Sequence, residues 1–150
     1  DPHNFTLNSS SFKAGERIAE MGACINCHFY GAEKPKQDAL TWAPNLVLTK
    51  ERLRPEWLVE WFINPQDVMP GTKMPAPYIP TEEPQNSIRE VWGSDVAKIS
   101  RDSTKLYKSL IDWMWGMEGR KDVSSIVKRH LNSQGYGFII EEEDDWGDEW

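Results

Sequence analysis

The run Cys24-Ile25-Asn26-Cys27-His28 constrains this chain more than any other feature, because two thiols at i and i+3 followed at once by an imidazole have few chemical uses. These are the only 2 cysteines in 150 residues. Three uses compete: a structural metal site, a redox-active thiol pair, and covalent capture of a porphyrin.

A structural zinc site needs two further soft ligands. There is no third cysteine, and the other histidines, His3 and His130, lie near opposite ends of the chain. A thioredoxin-type pair is expected at a helix start after a strand, inside an alternating strand and helix pattern. Residues 11–23 read instead as helix, with Phe12, Ile18, Ala19 and Met21 forming a loose apolar stripe. Porphyrin capture uses every residue of the run. Cys24 and Cys27, one helical turn apart, can add to the two vinyl groups on one edge of a haem, and His28 then sits beneath the ring with a nitrogen aimed at iron. The expected cofactor is one haem c, held through two thioethers and unable to dissociate.

Iron bound by one histidine needs a sixth ligand or stays open. Downstream, Asn64-Pro65-Gln66-Asp67-Val68-Met69-Pro70-Gly71-Thr72-Lys73-Met74-Pro75 places a thioether at the end of a stiff strap, in which Pro70 fixes φ and Gly71 permits a tight bend. Met74 is the candidate. Met69 is its rival, five residues earlier, while Met21, Met114 and Met117 read as core filler.

With Cys24-Ile25-Asn26-Cys27-His28, Ala43-Pro44-Asn45-Leu46 and Asn64-Pro65 leading to Pro70-Gly71-Thr72-Lys73-Met74, the chain resembles the class I cytochrome c family over about residues 11–78 and one later helix. The resemblance implies His28 and Met74 as the axial iron ligands and Cys24 and Cys27 as the attachment residues. It also implies that the Pro44 carbonyl accepts the second ring N–H of His28, fixing its tautomer and keeping the imidazole electron-rich. Thr72 matches a threonine that hydrogen-bonds a haem propionate. Trp61 falls where the family usually has a tyrosine near the methionine sulfur, and its indole N–H can still donate a bond there. Electrons are expected to cross at the exposed haem edge, with Lys73, and more loosely Lys13, Lys34 and Lys36, orienting a partner by charge.

The pattern predicts an all-α chain: a class I cytochrome c fold around one haem, with an extended C-terminal addition. Residues 11–27 read as the first helix, and 55–63 as a short one that Pro55 opens and Pro65 stops, with Trp57, Leu58, Trp61 and Phe62 on one face. Pro75, Pro77, Pro80 and Pro84 predict an irregular segment over 75–86, followed by a weak helix over 88–99 interrupted by Gly93. A clear helix begins at Asp102 or Ser103 and repeats Leu106, Leu110, Trp113, Met114 and Met117. It resembles the family's final helix, which crosses the first near Gly15 and buries an aromatic there, Tyr107 or Trp113.

The organisation expected is an N-terminal arm over 1–10, a cytochrome domain over 11–118, and an extension over 119–150 made of an amphipathic helix and an acidic tail. Val123, Ile126, Val127, His130 and Leu131 share one face of that helix over 122–132. Two sequons, Asn4-Phe5-Thr6 and Asn8-Ser9-Ser10, read as chance in the arm. The formal net charge is −7, and residues 141–150 carry 7 acids and no base, interleaved with Trp146 and Trp150. The body is therefore formally neutral, and the tail is expected to dock on a basic partner surface.

No run reaches membrane-spanning length, and nothing suggests nucleic-acid binding. The chain begins at Asp1 without a basic and apolar leader, which points to a processed precursor or a trimmed chain. Haem attachment of this kind implies export, so a periplasmic or equivalent compartment is expected. The function expected is electron transfer without bond chemistry, as a subunit or tightly docked partner of a membrane-bound respiratory or photosynthetic redox complex. A free periplasmic shuttle is the first alternative, and a haem-based gas sensor or small peroxidase-like protein the second.

Overall fold

The computed structural model describes residues 9–137, and within them the chain is all-α. Ordered contacts between extended segments are limited there to two isolated bridges, His28 with Ala43 and Tyr30 with Glu33. Most of the N-terminal arm, its sequon asparagines and the acidic tail lie outside the described residues.

Helix α1 spans Ser10–Met21 and is capped by the Ser9 hydroxyl, which accepts from Phe12 N at 3.1 Å. The expectation of one helix over 11–27 is corrected here. Ala23 takes the left-handed conformation (φ 54°), and Cys24–Asn26 form a separate 3-10 turn. The helical ladder ends where Ala23 N turns to the Glu20 carbonyl (3.2 Å), and beyond it the Ile25 and Asn26 carbonyls accept from Lys36 N (3.2 Å) and Gln37 N (2.9 Å). A loop thereby captures the turn and aims it independently of α1.

Short helix α2 (Thr49–Arg52) leads to α3 (Pro55–Ile63), where Pro55 occupies the first turn and buries Leu58 and Phe62. Pro65 does stop α3, since Asn64 before it is extended (φ −154°, ψ 91°). It also opens α4 (Pro65–Val68), a turn the sequence reading gave to the strap.

Residues 75–84 are irregular, as the prolines require. The single weak helix expected over 88–99 is two helices, α5 (Gln85–Val91) and α6 (Ser94–Ile99). Gly93 between them has φ 91°, a turn that reverses direction and lets Ile88, Trp92 and Val96 all be buried. Glu83 ties this excursion together by accepting from Tyr78 Oη (3.1 Å) and Trp92 Nε1 (3.0 Å).

Helix α7 (Ser103–Gly116) is capped by Asp102, whose carboxylate accepts from Lys105 N at 3.3 Å. It packs along α1 through Gly15, where a Cβ would lie 1.9 Å from the Ser109 carbonyl oxygen and 2.9 Å from Trp113 Cβ. Of the two aromatics expected at this crossing Trp113 is the one against Gly15, while Tyr107 stacks on Phe62 of α3 at 6.4 Å. Buried Asp112 braces the same interface, accepting from Ser11 Oγ (2.5 Å) and Lys108 Nζ (2.8 Å).

Met114 and Met117 are core, but Met21 is 40% exposed and fills nothing. It is the last residue of α1, past the buried Ile18 and Ala19. Helix α8 (Ser124–Ser133) follows, its apolar face half-buried and none of its residues fully buried. No helix among the described residues is long and apolar enough to cross a membrane.

Candidate functional site

The Cys24–Asn26 turn closes through His28 N donating to the Cys24 carbonyl at 3.0 Å, so both thiols and the imidazole issue from one tight loop. Cys24 and Cys27 are free thiols, each half-buried. Burial pushes the Cys24 thiol above its ordinary range, and the neighbouring Cys27 adds to the effect. Cys27 Sγ donates to Gln37 Oε1 at 3.4 Å.

His28 is gripped on both sides by backbone. Ala43 N donates to the Cys27 carbonyl (2.7 Å) and Leu46 N to the Phe29 carbonyl (3.0 Å). Between these rungs the Pro44 carbonyl lies 2.7 Å from His28 Nδ1. Because a carbonyl only accepts, Nδ1 carries the proton and Nε2 keeps its lone pair. Burial lowers the His28 pKa, against a smaller opposing effect of the Pro44 bond, so the ring favours its neutral, ligating form.

The second group forms on α3 and the strap. Trp61 Nε1 donates to Met74 Sδ at 2.9 Å, and Trp57 stacks on Trp61 at 5.2 Å. Gln66 holds the bend that sets Met74: its Oε1 accepts from Gly71 N (3.1 Å) and its Nε2 donates to the Thr72 carbonyl. The Thr72 hydroxyl accepts from Met74 N at 3.3 Å, which leaves its own proton available to an acceptor. Met69 faces outward at 56% exposure. Cys24, Trp57, Trp61 and Met74 all border the same apolar core, each partly exposed.

The lysines separate. Lys73 is exposed one residue before Met74, and Lys34 reaches His130 Nδ1 of α8 at 3.5 Å. Lys36 is exposed beside the attachment loop, while Lys13 lines a groove between α1 and α5–α6 rimmed by Glu16, Glu20, Glu90 and Asp95. Half-buried His130 packs on Trp42 with ring centres 4.7 Å apart.

Two residues emerge that the sequence reading did not single out. Gln66 has no local signal, since its bonds depend on the closed bend. Asn45 was legible only as a letter in Pro44-Asn45-Leu46, yet it is one of the few buried polar residues.

This donor set suits a covalently attached haem: two unpaired thiols, an imidazole with only Nε2 left to coordinate, a thioether steadied by an indole, and apolar side chains bordering them. Among the described residues no three His, Cys, Asp or Glu side chains gather as a metal-ion site. Comparison with protein families, curated proteins and solved structures finds no match to this chain.

Proposed function

We propose that this chain is a monohaem c-type cytochrome of class I, an electron carrier with His28 and Met74 as axial ligands. Cys24 and Cys27 hold the haem, and Thr72 donates to a propionate. The observation that carries the reading is the Nδ1 bond of His28 to the Pro44 carbonyl, 2.7 Å long, next to two free thiols. A histidine so fixed has one nitrogen to give and one direction to give it in.

When bound, the haem supplies one-electron cycling of its iron between ferrous and ferric states. The residues do the rest. His28 and Met74 would hold the iron between them and leave no position for a substrate, and a methionine in place of a second histidine would raise the potential. Trp57 and Trp61 keep water from the thioether and disfavour the ferric charge.

Attachment of this kind places the protein in the periplasm or an equivalent compartment. The excursion over 75–102 and the segment beyond α7 favour a fixed subunit, or a tightly docked partner, of a respiratory or photosynthetic redox complex over a free shuttle. Among the described residues, α5, α6 and α8 add surface outside the two donor groups.

The pigment of the purified protein is expected to stay with the polypeptide in acidified organic solvent, and the intact mass to exceed the chain by one haem. Release of the pigment, or its absence, overturns the reading. In Met74→Ala the sulfur-to-iron absorption band is expected to vanish and the reduced protein to bind carbon monoxide rapidly. Met69→Ala should leave both unchanged, and a band that survives Met74→Ala removes Met74 from the iron.

A further inference from the structure

Asn45 is 5% exposed and its side-chain amide is saturated. Oδ1 accepts from Gly31 N (3.1 Å) and Val47 N (3.3 Å), and Nδ2 donates to the Gly31 carbonyl (3.1 Å) and the Arg120 carbonyl (2.9 Å). Both protons and both lone pairs of the amide are used, so one orientation is permitted. Three of these bonds are local to the loop that carries His28 and Pro44. The fourth reaches the segment after α7.

The carbonyl that holds His28 Nδ1 belongs to the peptide joining Pro44 to Asn45. That unit is planar, and the Pro44 ring fixes the φ before it, so the carbonyl's direction follows from where Asn45 N and Cα are held. The four bonds of the Asn45 side chain hold them. Close approach of two glycines brings Arg120 within reach: a Cβ on Gly119 would lie 3.2 Å from Gly31 Cα, and Gly119 itself has φ 150°. Lys121 clasps Glu51 just beyond.

We propose that Asn45 is a positioning residue for His28, and that through its bond to the Arg120 carbonyl the segment following α7 helps to set the hydrogen bond of the proximal imidazole. The proposal rests on the electron-carrier reading for its consequence and on the geometry alone for its mechanism. A carbonyl well placed on Nδ1–H makes the imidazole a stronger donor and favours ferric iron. A displaced carbonyl favours ferrous iron, and the potential rises.

Asn45→Asp tests this in the full chain. The carboxylate still accepts from Gly31 and Val47 but offers no donor to the Gly31 and Arg120 carbonyls. The His28 Nδ1 proton is expected to exchange with solvent faster; the potential is not the readout for this variant, because the anion it introduces would itself favour ferric iron. Gly119→Ala pushes from the other side of the contact without adding charge; it should quicken the same exchange and shift the potential of the haem-loaded protein upward with its sulfur-to-iron band intact, and it decides the matter alone if Asn45→Asp does not fold. Lys121→Ala, which removes an exposed ion pair from the same segment, should change neither. Unaltered exchange in the folded variants, with an unaltered potential in Gly119→Ala, overturns the positioning role while leaving the carrier intact. The exchange measurement needs no haem, so a chain found without covalent pigment refutes the carrier separately.

Discussion

The indole of Trp61 donates to the Met74 sulfur at 2.9 Å. A bond of that kind draws density from the thioether and makes it a weaker donor to ferric iron, so within the proposed function it holds the potential up. Trp61→Phe keeps an aromatic ring against Trp57 and removes only the N–H. The expected result is a lower potential with the sulfur-to-iron band retained, and a stability loss of about 1 kcal/mol in denaturant titration, the net value of one hydrogen bond. A potential that stays put or rises denies the indole this part. Residues of this kind were legible where the chemistry is carried by identity. Cys24, Cys27 and His28 announce themselves by spacing, and Met74 is set apart from Met69 by following the Gly71 bend. Gln66 and Asn45 were not legible, because an amide's value depends on which backbone groups the folded loop brings to it.

At the scale of elements, α1 and α7 meet at a glycine, and two physical effects disagree about replacing it. Gly15 lies within α1, where alanine is intrinsically better by about 1 kcal/mol. Against that, the added Cβ would sit 1.9 Å from Ser109 O and 2.5 Å from Ser109 C, backbone atoms held inside α7 that cannot swing aside. Forcing the helices apart costs about 3 kcal/mol, since it also disturbs Trp113 and the bond from Ser11 to buried Asp112. Sterics should therefore win, and Gly15→Ala should lower the midpoint of thermal unfolding; a rise would mean that the contact is looser than this geometry. The elements legible in the sequence were those whose signals are local. Helix α3 begins at Pro55 and α7 is capped by Asp102 as their residues dictate. The misread ones were decided at a distance. Ala23 leaves the helical region and residues 36 and 37 fasten the turn after it through the Ile25 and Asn26 carbonyls, while burial of Ile88, Trp92 and Val96 accompanies the division of one weak helix into two.

Over the whole molecule, the formal net charge is confined to one short part of the chain. The formal charge of −7 resides in residues 141–150, and residues 1–140 are formally neutral. If the chain docks on a partner, the tail is the part that supplies a net field at long range, because residues 1–140 carry charges of both signs in equal number. Exposed charges act over about 8 Å at physiological ionic strength, so this attraction should fade as salt rises. Trp146 and Trp150, lying within and after the acids, add apolar contact that salt does not weaken. If the tail docks on a basic surface of a redox complex, the native chain should elute with that complex in extract at low salt, when haem absorbance is followed by size exclusion. Residues 141–150 include none of the described helices and neither donor group, so the spectrum of the chain without them should not change. The deleted chain should elute alone even at low salt. Elution of the deleted chain with the complex at moderate salt would show that residues 1–140 carry the contact, and would move the interface to surfaces such as those added by α5, α6 and α8.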